Sequence, residues 1–166
     1  MTRDANAEIA PVHRLGPDDF GWVLPLNVQY EVELSPLSQE GLGRLVEGAF
    51  LATGIGRSAF LIAFDESSDY DSPNFLWFRE RLARFVYVDR VAVDEAARGR
   101  GLARLLYEDL FIRAQEHGHA CVVCEVNIEP PNPASDAFHE RLGFEQIGTA
   151  LLEERGKQVR YLRKRL

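Results

Sequence analysis

Apolar positions along the chain change period in a way that lays out a mixed α/β architecture. In the run Phe85 to Val93, Phe85, Tyr87, Val91 and Val93 share one parity while Val86 and Val88 take the other. A strand apolar on both faces belongs in the middle of a sheet. From Leu102 the spacing becomes helical, through Leu105, Leu106 and Leu110, and Gly118 follows His117 as a natural stop. The next run, Ala120 to Val126, is rich in Cys and Val and reads as a second buried strand. Strand, loop, helix and strand in this order form a crossover unit joining parallel strands.

The flanks extend the pattern. A first strand is expected near Ile9 to Leu15, helices near Pro17 to Glu31 and Ser38 to Phe50, and two strands within Leu51 to Phe64. Asn132-Pro133 is a helix start, an N-cap followed by proline at the first helical position, and Gly143 is placed to end that short helix. Val159, Tyr161 and Leu162, set among charges, read as a carboxy-terminal edge strand, since charged edges block unwanted pairing. Between Ser67 and Arg84 the meander is interrupted by a loop carrying Tyr70, Phe75, Trp77 and Phe78. Those aromatics either tuck onto the core or wall an acceptor pocket.

Composition narrows the class. With 166 residues and 46% hydrophobic content the chain suits one domain, 1–166, with a full core. Met1 to Ala10 lacks the apolar stretch of a signal peptide, and the longest clean apolar run, Ala59 to Phe64, is too short to span a bilayer. A cytoplasmic protein without membrane contact is expected. The net charge of -7 argues against a nucleic-acid partner, although the last turn of sequence, Leu151 to Leu166, is basic. Cys121 and Cys124 are three apart in a strand and should face opposite sides, so both read as core thiols. His13, His117, His119 and His139 show no ligand pairing at helical or finger spacing, and no metal site is expected.

The chemistry concentrates in Arg98-Gly99-Arg100-Gly101-Leu102-Ala103, between the first buried strand and the long helix. Two glycines permit close backbone approach, and the first-turn amides are unpaired donors at the positive end of a helix dipole. A phosphate-bearing ligand follows. A P-loop is excluded because Leu102 and Ala103 stand where Lys and Ser/Thr are required, and a dinucleotide fingerprint because Arg104 occupies its third small position.

The loop resembles the pyrophosphate loop of the GNAT superfamily of acyl-CoA-dependent N-acyltransferases, whose Gln/Arg-x-x-Gly-x-Gly/Ala pattern is met by Arg98, Gly101 and Ala103. Asn132, Ala137, Phe138, Leu142, Gly143 and Phe144 resemble the second motif of that family, with His139 where tyrosine is usual. The resemblance implies a mostly antiparallel, mixed sheet with a central parallel pair splayed around the cofactor and helices on both faces. It implies acetyl-CoA as acyl donor, its pyrophosphate on the backbone of Arg98, Gly99, Arg100, Gly101, Leu102 and Ala103. Backbone amides near Val91, Ala92 and Val93 would meet the oxyanion, and Asn132 the pantetheine arm. His139, beside the thiol, either protonates the leaving thiolate as imidazolium, if its pKa is held near or above neutrality, or is silent. Asp89 and Glu125 are the candidate bases. No cysteine or serine sits in a nucleophile setting, so direct transfer to an amine of a small molecule or peptide is expected. The alternative is a non-catalytic acyl-CoA sensor on the same fold. Monomer and homodimer both remain compatible with the sequence.

Overall fold

The computed structural model describes residues 8–166. Seven strands form one sheet: β1 (Val12–Arg14), β2 (Leu51–Ile55), β3 (Ala59–Asp65), β4 (Val86–Val93), β5 (Cys121–Glu129), β6 (Glu145–Leu152) and β7 (Lys157–Arg165). Their spatial order is β1-β2-β3-β4-β5-β7-β6, and every pairing is antiparallel except β4 with β5. That one parallel contact needs a crossover, supplied by the helix Leu102–Glu116. The helices are α1 (Phe20–Gln29), α2 (Glu31–Leu34), α3 (Gln39–Gly48), α4 (Pro73–Arg79), α5 (Leu102–Glu116) and α6 (Pro133–Arg141).

The sheet separates two cores. On one face α5 lays Leu102, Leu106 and Leu110 against Leu61, Val86, Val122 and Cys124, with Phe138 of α6 beside them. On the other, Val23 of α1, Leu42 of α3 and Phe75 and Phe78 of α4 cover Phe60, Ile62, Tyr87 and Val123. Burial of both faces explains why β3 reads as an unbroken apolar run, Ala59 to Phe64, with no alternation. Cys121 and Cys124 lie in opposite cores, as their spacing in a strand requires.

Three expectations are corrected. The segment Ser67 to Arg84 is not a plain loop: Ser72 caps α4 by accepting from the Phe75 N–H, and Pro73 occupies the first helical position. The strand of Val159, Tyr161 and Leu162 is not an edge. It is β7, inserted between β5 and β6, which buries all three side chains, and the edge is β6, half of whose residues are exposed and none buried. Finally, Val91 and Val93 do not face the same side as Phe85 and Tyr87. The β3–β4 register runs Ala63↔Val88 and then Ile62↔Arg90, so Asp89 is an extra residue in β4. Such a bulge flips the side-chain alternation. Val91 and Val93 therefore join Val86 and Val88 on the α5 face, while Ala92 joins Phe85 and Tyr87.

Candidate active site

The site arises where β4 and β5 part. Their parallel register covers only Val86↔Val122 and Tyr87↔Val123, after which the strands diverge. Beyond Tyr87, β4 keeps its antiparallel partner β3 on one side and has no strand partner on the other. The β5-facing backbone groups of Val88 to Val93 are thus left for a ligand.

The gap holds two adjoining cavities. One opens on the α5–α6 side and is lined by Val88, Val91, Tyr107, Val126, Asn132 and His139. The other opens on the opposite face among Leu34, Tyr70, Tyr87, Arg90 and Arg155. Asp89, Glu125 and Glu33 line both. A ligand entering from either side therefore meets the two carboxyls that the sequence nominates as bases.

Glu125 is the better placed of the two. It projects from β5 into the gap, and its Oε1 accepts from the Tyr87 hydroxyl at 3.0 Å. Its Oε2 is buried with no aligned hydrogen-bond partner among the described residues, although the Asn74 side chain lies close enough to favour the charged form. Burial, reinforced by the nearby negative charge of Asp89, pushes its carboxyl up to about 7. Asp89 is engaged on both oxygens: Oδ1 accepts from Tyr70 at 2.6 Å and Oδ2 pairs with Arg90 Nε at 3.2 Å. Burial raises its pKa too, with the Arg90 charge opposing. Arg90 is itself held by Asn27 Oδ1 at 2.8 Å and by the Ser35 carbonyl at 3.1 Å. Asp89 thus belongs to a braced network and lends negative charge to the gap, while Glu125 keeps a free oxygen.

His139 is almost fully buried on α6. Its Nδ1 lies 2.8 Å from the Ser135 carbonyl, an acceptor, so Nδ1 carries the proton, and Nε2 accepts from the Tyr107 hydroxyl at 2.8 Å. Burial pushes its pKa down. The condition for an imidazolium donor at neutral pH is not met, because the solvation lost on burial outweighs the support that the charged form receives from the Ser135 carbonyl and the Asp136 carboxylate. The hydroxyl in this corner of the cleft is that of Tyr107, from α5, which burial holds well above the ordinary tyrosine range. Sequence reading missed Tyr107, since an aromatic in a helical apolar stripe reads as core. Asn132 accepts from the Ser135 N–H and so caps α6 while lining the same cavity.

The glycine loop adopts the conformation its composition demands. Gly99 and Gly101 have φ of 77° and 76°, in the left-handed region, and a Cβ at either would meet nothing within 4 Å. Gly101 is the N-cap of α5, leaving the amides of Leu102, Ala103 and Arg104 directed outward. The Arg98 side chain turns away from this cradle: Nη2 and Nε donate to the Tyr30 hydroxyl at 2.6 and 3.1 Å, and that hydroxyl donates to the Val93 carbonyl at 2.6 Å. Tyr30, unremarked in the sequence, ties the α1–α2 junction to the end of β4 and to the loop. The thiols are inert by environment, since burial pushes Cys124 well up and Cys121 up.

A glycine cradle at a helix N-terminus, beside a parallel strand pair that splays around buried carboxyls, resembles the cofactor site of CoA-dependent acyltransferases. The model of the Acetyltransferase (GNAT) family matches residues 67–144, the stretch that carries both motifs and both carboxyls. Over this stretch, just under half of its length, the chain is similar to that family, and its fold is the one that family adopts. It is 29% identical over 93 residues to the L-2,4-diaminobutyric acid acetyltransferase of Wolinella succinogenes. That match takes in 55% of this chain and 54% of the relative, so the chain spans about half the length of the curated relative it matches. Among solved structures it resembles the ribosomal-protein-alanine N-acetyltransferase of Brucella melitensis, with a TM-score of 0.70, 19% identity and coverage of 94% of this chain and 99% of that one. It also resembles yncA of Salmonella typhimurium, solved with acetyl-CoA, with a TM-score of 0.69, 16% identity and coverage of 96% and 95%.

Proposed function

We propose that the protein, acting as a single domain, transfers an acetyl group from acetyl-CoA directly to the amine of a cationic acceptor. The observation that carries this reading is Glu125, a buried carboxyl with one unpartnered oxygen in the gap between β4 and β5 and a pKa near neutrality. A general base works best when its pKa lies near the working pH, and an ammonium acceptor must lose a proton before it can attack. Glu125 takes that proton. Glu33, Asp89 and Glu125, all lining the gap, favour a cation there.

The remaining roles follow from the same geometry. The loop amides from Gly101 onward receive the pyrophosphate, with Asn132 beside the pantetheine arm. Backbone N–H groups of β4 between Val91 and Val93 stabilise the oxygen that gains charge as the amine nitrogen bonds to the acyl carbon. When the carbon–sulfur bond breaks, the Tyr107 hydroxyl turns from His139 Nε2, gives its proton to the thiolate, and regains one from solvent once the products leave. No enzyme-bound acyl group is needed, in keeping with two thiols held protonated by burial.

The test is thermal denaturation of the purified protein with acetyl-CoA and CoA, followed by a thiol-release screen of diamines, amino acids and peptides. A saturable rise in Tm with turnover of a cationic amine supports the reading. A rise without turnover of any amine leaves a binding module, and no rise removes the acyl-CoA assignment.

A further inference from the structure

At the end of the β4–β5 pair remote from the splay, the structure gathers three donors that the chain supplies from distant places. Asp65 closes β3 opposite Val86, Glu66 follows it, and His119 stands just before β5. One ring nitrogen of His119 and one oxygen from each carboxyl all lie within 4.8 Å of one another. His119 Nε2 is 3.7 Å from Asp65 Oδ2, and Nδ1 is 3.1 Å from Glu66 Oε2. The His119 side chain is only 3% exposed. Its Nδ1, although close to Glu66, is not aligned with it and has no hydrogen-bond partner among the described residues.

We propose that Asp65, Glu66 and His119 form a binding site for a zinc-class divalent cation that joins the end of β3 to the start of β5 at the closed end of the strand pair. Tetrahedral zinc with nitrogen and oxygen ligands near 2.0–2.2 Å places its ligand atoms roughly 3.4 Å apart, and the three donor atoms, one per residue and within 4.8 Å of one another, need close in only modestly to reach that spacing. An imidazole with two carboxylates suits zinc, cobalt or nickel, and the nitrogen ligand selects against magnesium and calcium. Coordination would engage the imidazole that is now buried without a full set of partners.

The surroundings supply the outer shell. Glu66 Oε1 already pairs with Arg84 Nε at 3.2 Å, and its Oε2 accepts from the Phe85 N–H at 3.1 Å, which fixes the carboxyl. Asp65 Oδ1 accepts from the Ser67 N–H at 3.0 Å and the Ser67 hydroxyl at 2.6 Å, leaving Oδ2 toward His119. Such partners orient ligands at metal sites. An open cavity of about 520 Å³, lined by Asp65, Glu66, His117 and His119 together with Arg14, Arg84 and Arg113, gives the cation an entry path and room for a completing water. The positive charges of Arg14, Arg84 and Arg113 oppose a cation in this setting, those of Arg84 and Arg113 being already paired with Glu66 and Asp109. Spacing in the sequence conceals the site, because its ligands come from two strand ends.

The proposal is tested on the full chain, stripped of metal and titrated with Zn²⁺ alone by calorimetry, with Mg²⁺ as control. One Zn²⁺ per chain is expected, with a Tm that rises with Zn²⁺ concentration and no response to Mg²⁺. Asp65→Asn, at a half-buried position, is expected to weaken Zn²⁺ binding by more than about 100-fold and to abolish the Tm response. His119→Gln should do the same where it folds. Acetyl transfer by Asp65→Asn should match that of the unsubstituted protein, which separates this site from the one in the gap. Absence of Zn²⁺ binding, or binding that survives Asp65→Asn, overturns the proposal.

Discussion

The Tyr87 hydroxyl donates to Glu125 Oε1 at 3.0 Å from the last residue of β4 that still pairs with β5. The bond therefore spans the fork of the two strands, and it fixes the carboxyl where the ligand gap begins. Burial holds the Tyr87 hydroxyl well above its ordinary range, so it stays protonated and remains a donor whichever state Glu125 adopts.

Replacing this carboxyl has opposite consequences for activity and stability. Glu125→Gln should lower kcat by about 100-fold or more and remove the limb of the pH–rate profile centred near 7. The folded pKa of Glu125 is raised from 4.5 to about 7, so between those values the native state binds more protons than the unfolded state. Stability must therefore fall as pH rises through that window. Relative to Glu125→Gln, the unsubstituted protein should lose about 3 kcal/mol between pH 4.5 and 8. Urea denaturation at several pH values measures it, and a flat difference would contradict the burial argument.

Tyr107 and His139 should behave as one unit. Tyr107→Phe removes the hydroxyl and leaves the ring packed against Phe138 and Phe144, so kcat is expected to drop about 10- to 100-fold with little change in the KM for acetyl-CoA. His139→Phe should cost a similar factor. The double variant should be no worse than the poorer single one, since either change breaks the same pair. Additive losses in steady-state kinetics would show that the two residues act separately.

Gly101→Asp separates binding from folding. Aspartate tolerates a left-handed backbone better than most residues, and a Cβ at this position meets nothing within 4 Å, so the fold should persist at a cost of about 1 kcal/mol. A carboxylate at the N-terminus of α5 would repel a pyrophosphate. The Tm rise with acetyl-CoA should vanish, removing roughly 2.7 kcal/mol of stabilisation at a hundredfold excess over Kd.

Ser35 has φ of 67° and ψ of 154°, a conformation almost confined to glycine, directly after α2 at the rim of the acceptor-side cavity. Its carbonyl accepts from Asn27 and Arg90, which hold the backbone there. Ser35→Gly relieves the strain without touching either bond, and is expected to stabilise the protein by about 1 kcal/mol after allowing for glycine's extra freedom when unfolded. Chemical denaturation reads it directly.

Local signals located most of these parts. The change of period at Leu102, the glycines of the loop and the Asn132-Pro133 start place β4, α5, β5 and α6 almost to the residue. The Ser72-Pro73 pair carried the same kind of signal for α4, but the crowd of aromatics around it obscured the reading. β6 was missed because none of its residues is fully buried and its apolar positions are few and irregular, and the position of β7 depends on pairing that no local pattern encodes. Glu125 was legible as a carboxyl in an apolar strand. Tyr70 was legible as an aromatic of the acceptor wall, whereas Tyr30 and Tyr107 were not, because a tyrosine beside apolar helix positions looks the same whether its hydroxyl is idle or employed.

The extra residue at Asp89 makes the length of β4 matter as much as its composition. Removing one residue between Val88 and Arg90 would turn Val91 and Val93 away from α5 and press the Arg90 guanidinium toward it. Lineages descending from such a sequence can exchange the valines for other apolar side chains at modest cost, yet they can neither shorten nor lengthen this strand by a single codon. In this stretch, gaps rather than mismatches should mark where a homologue has given up the site.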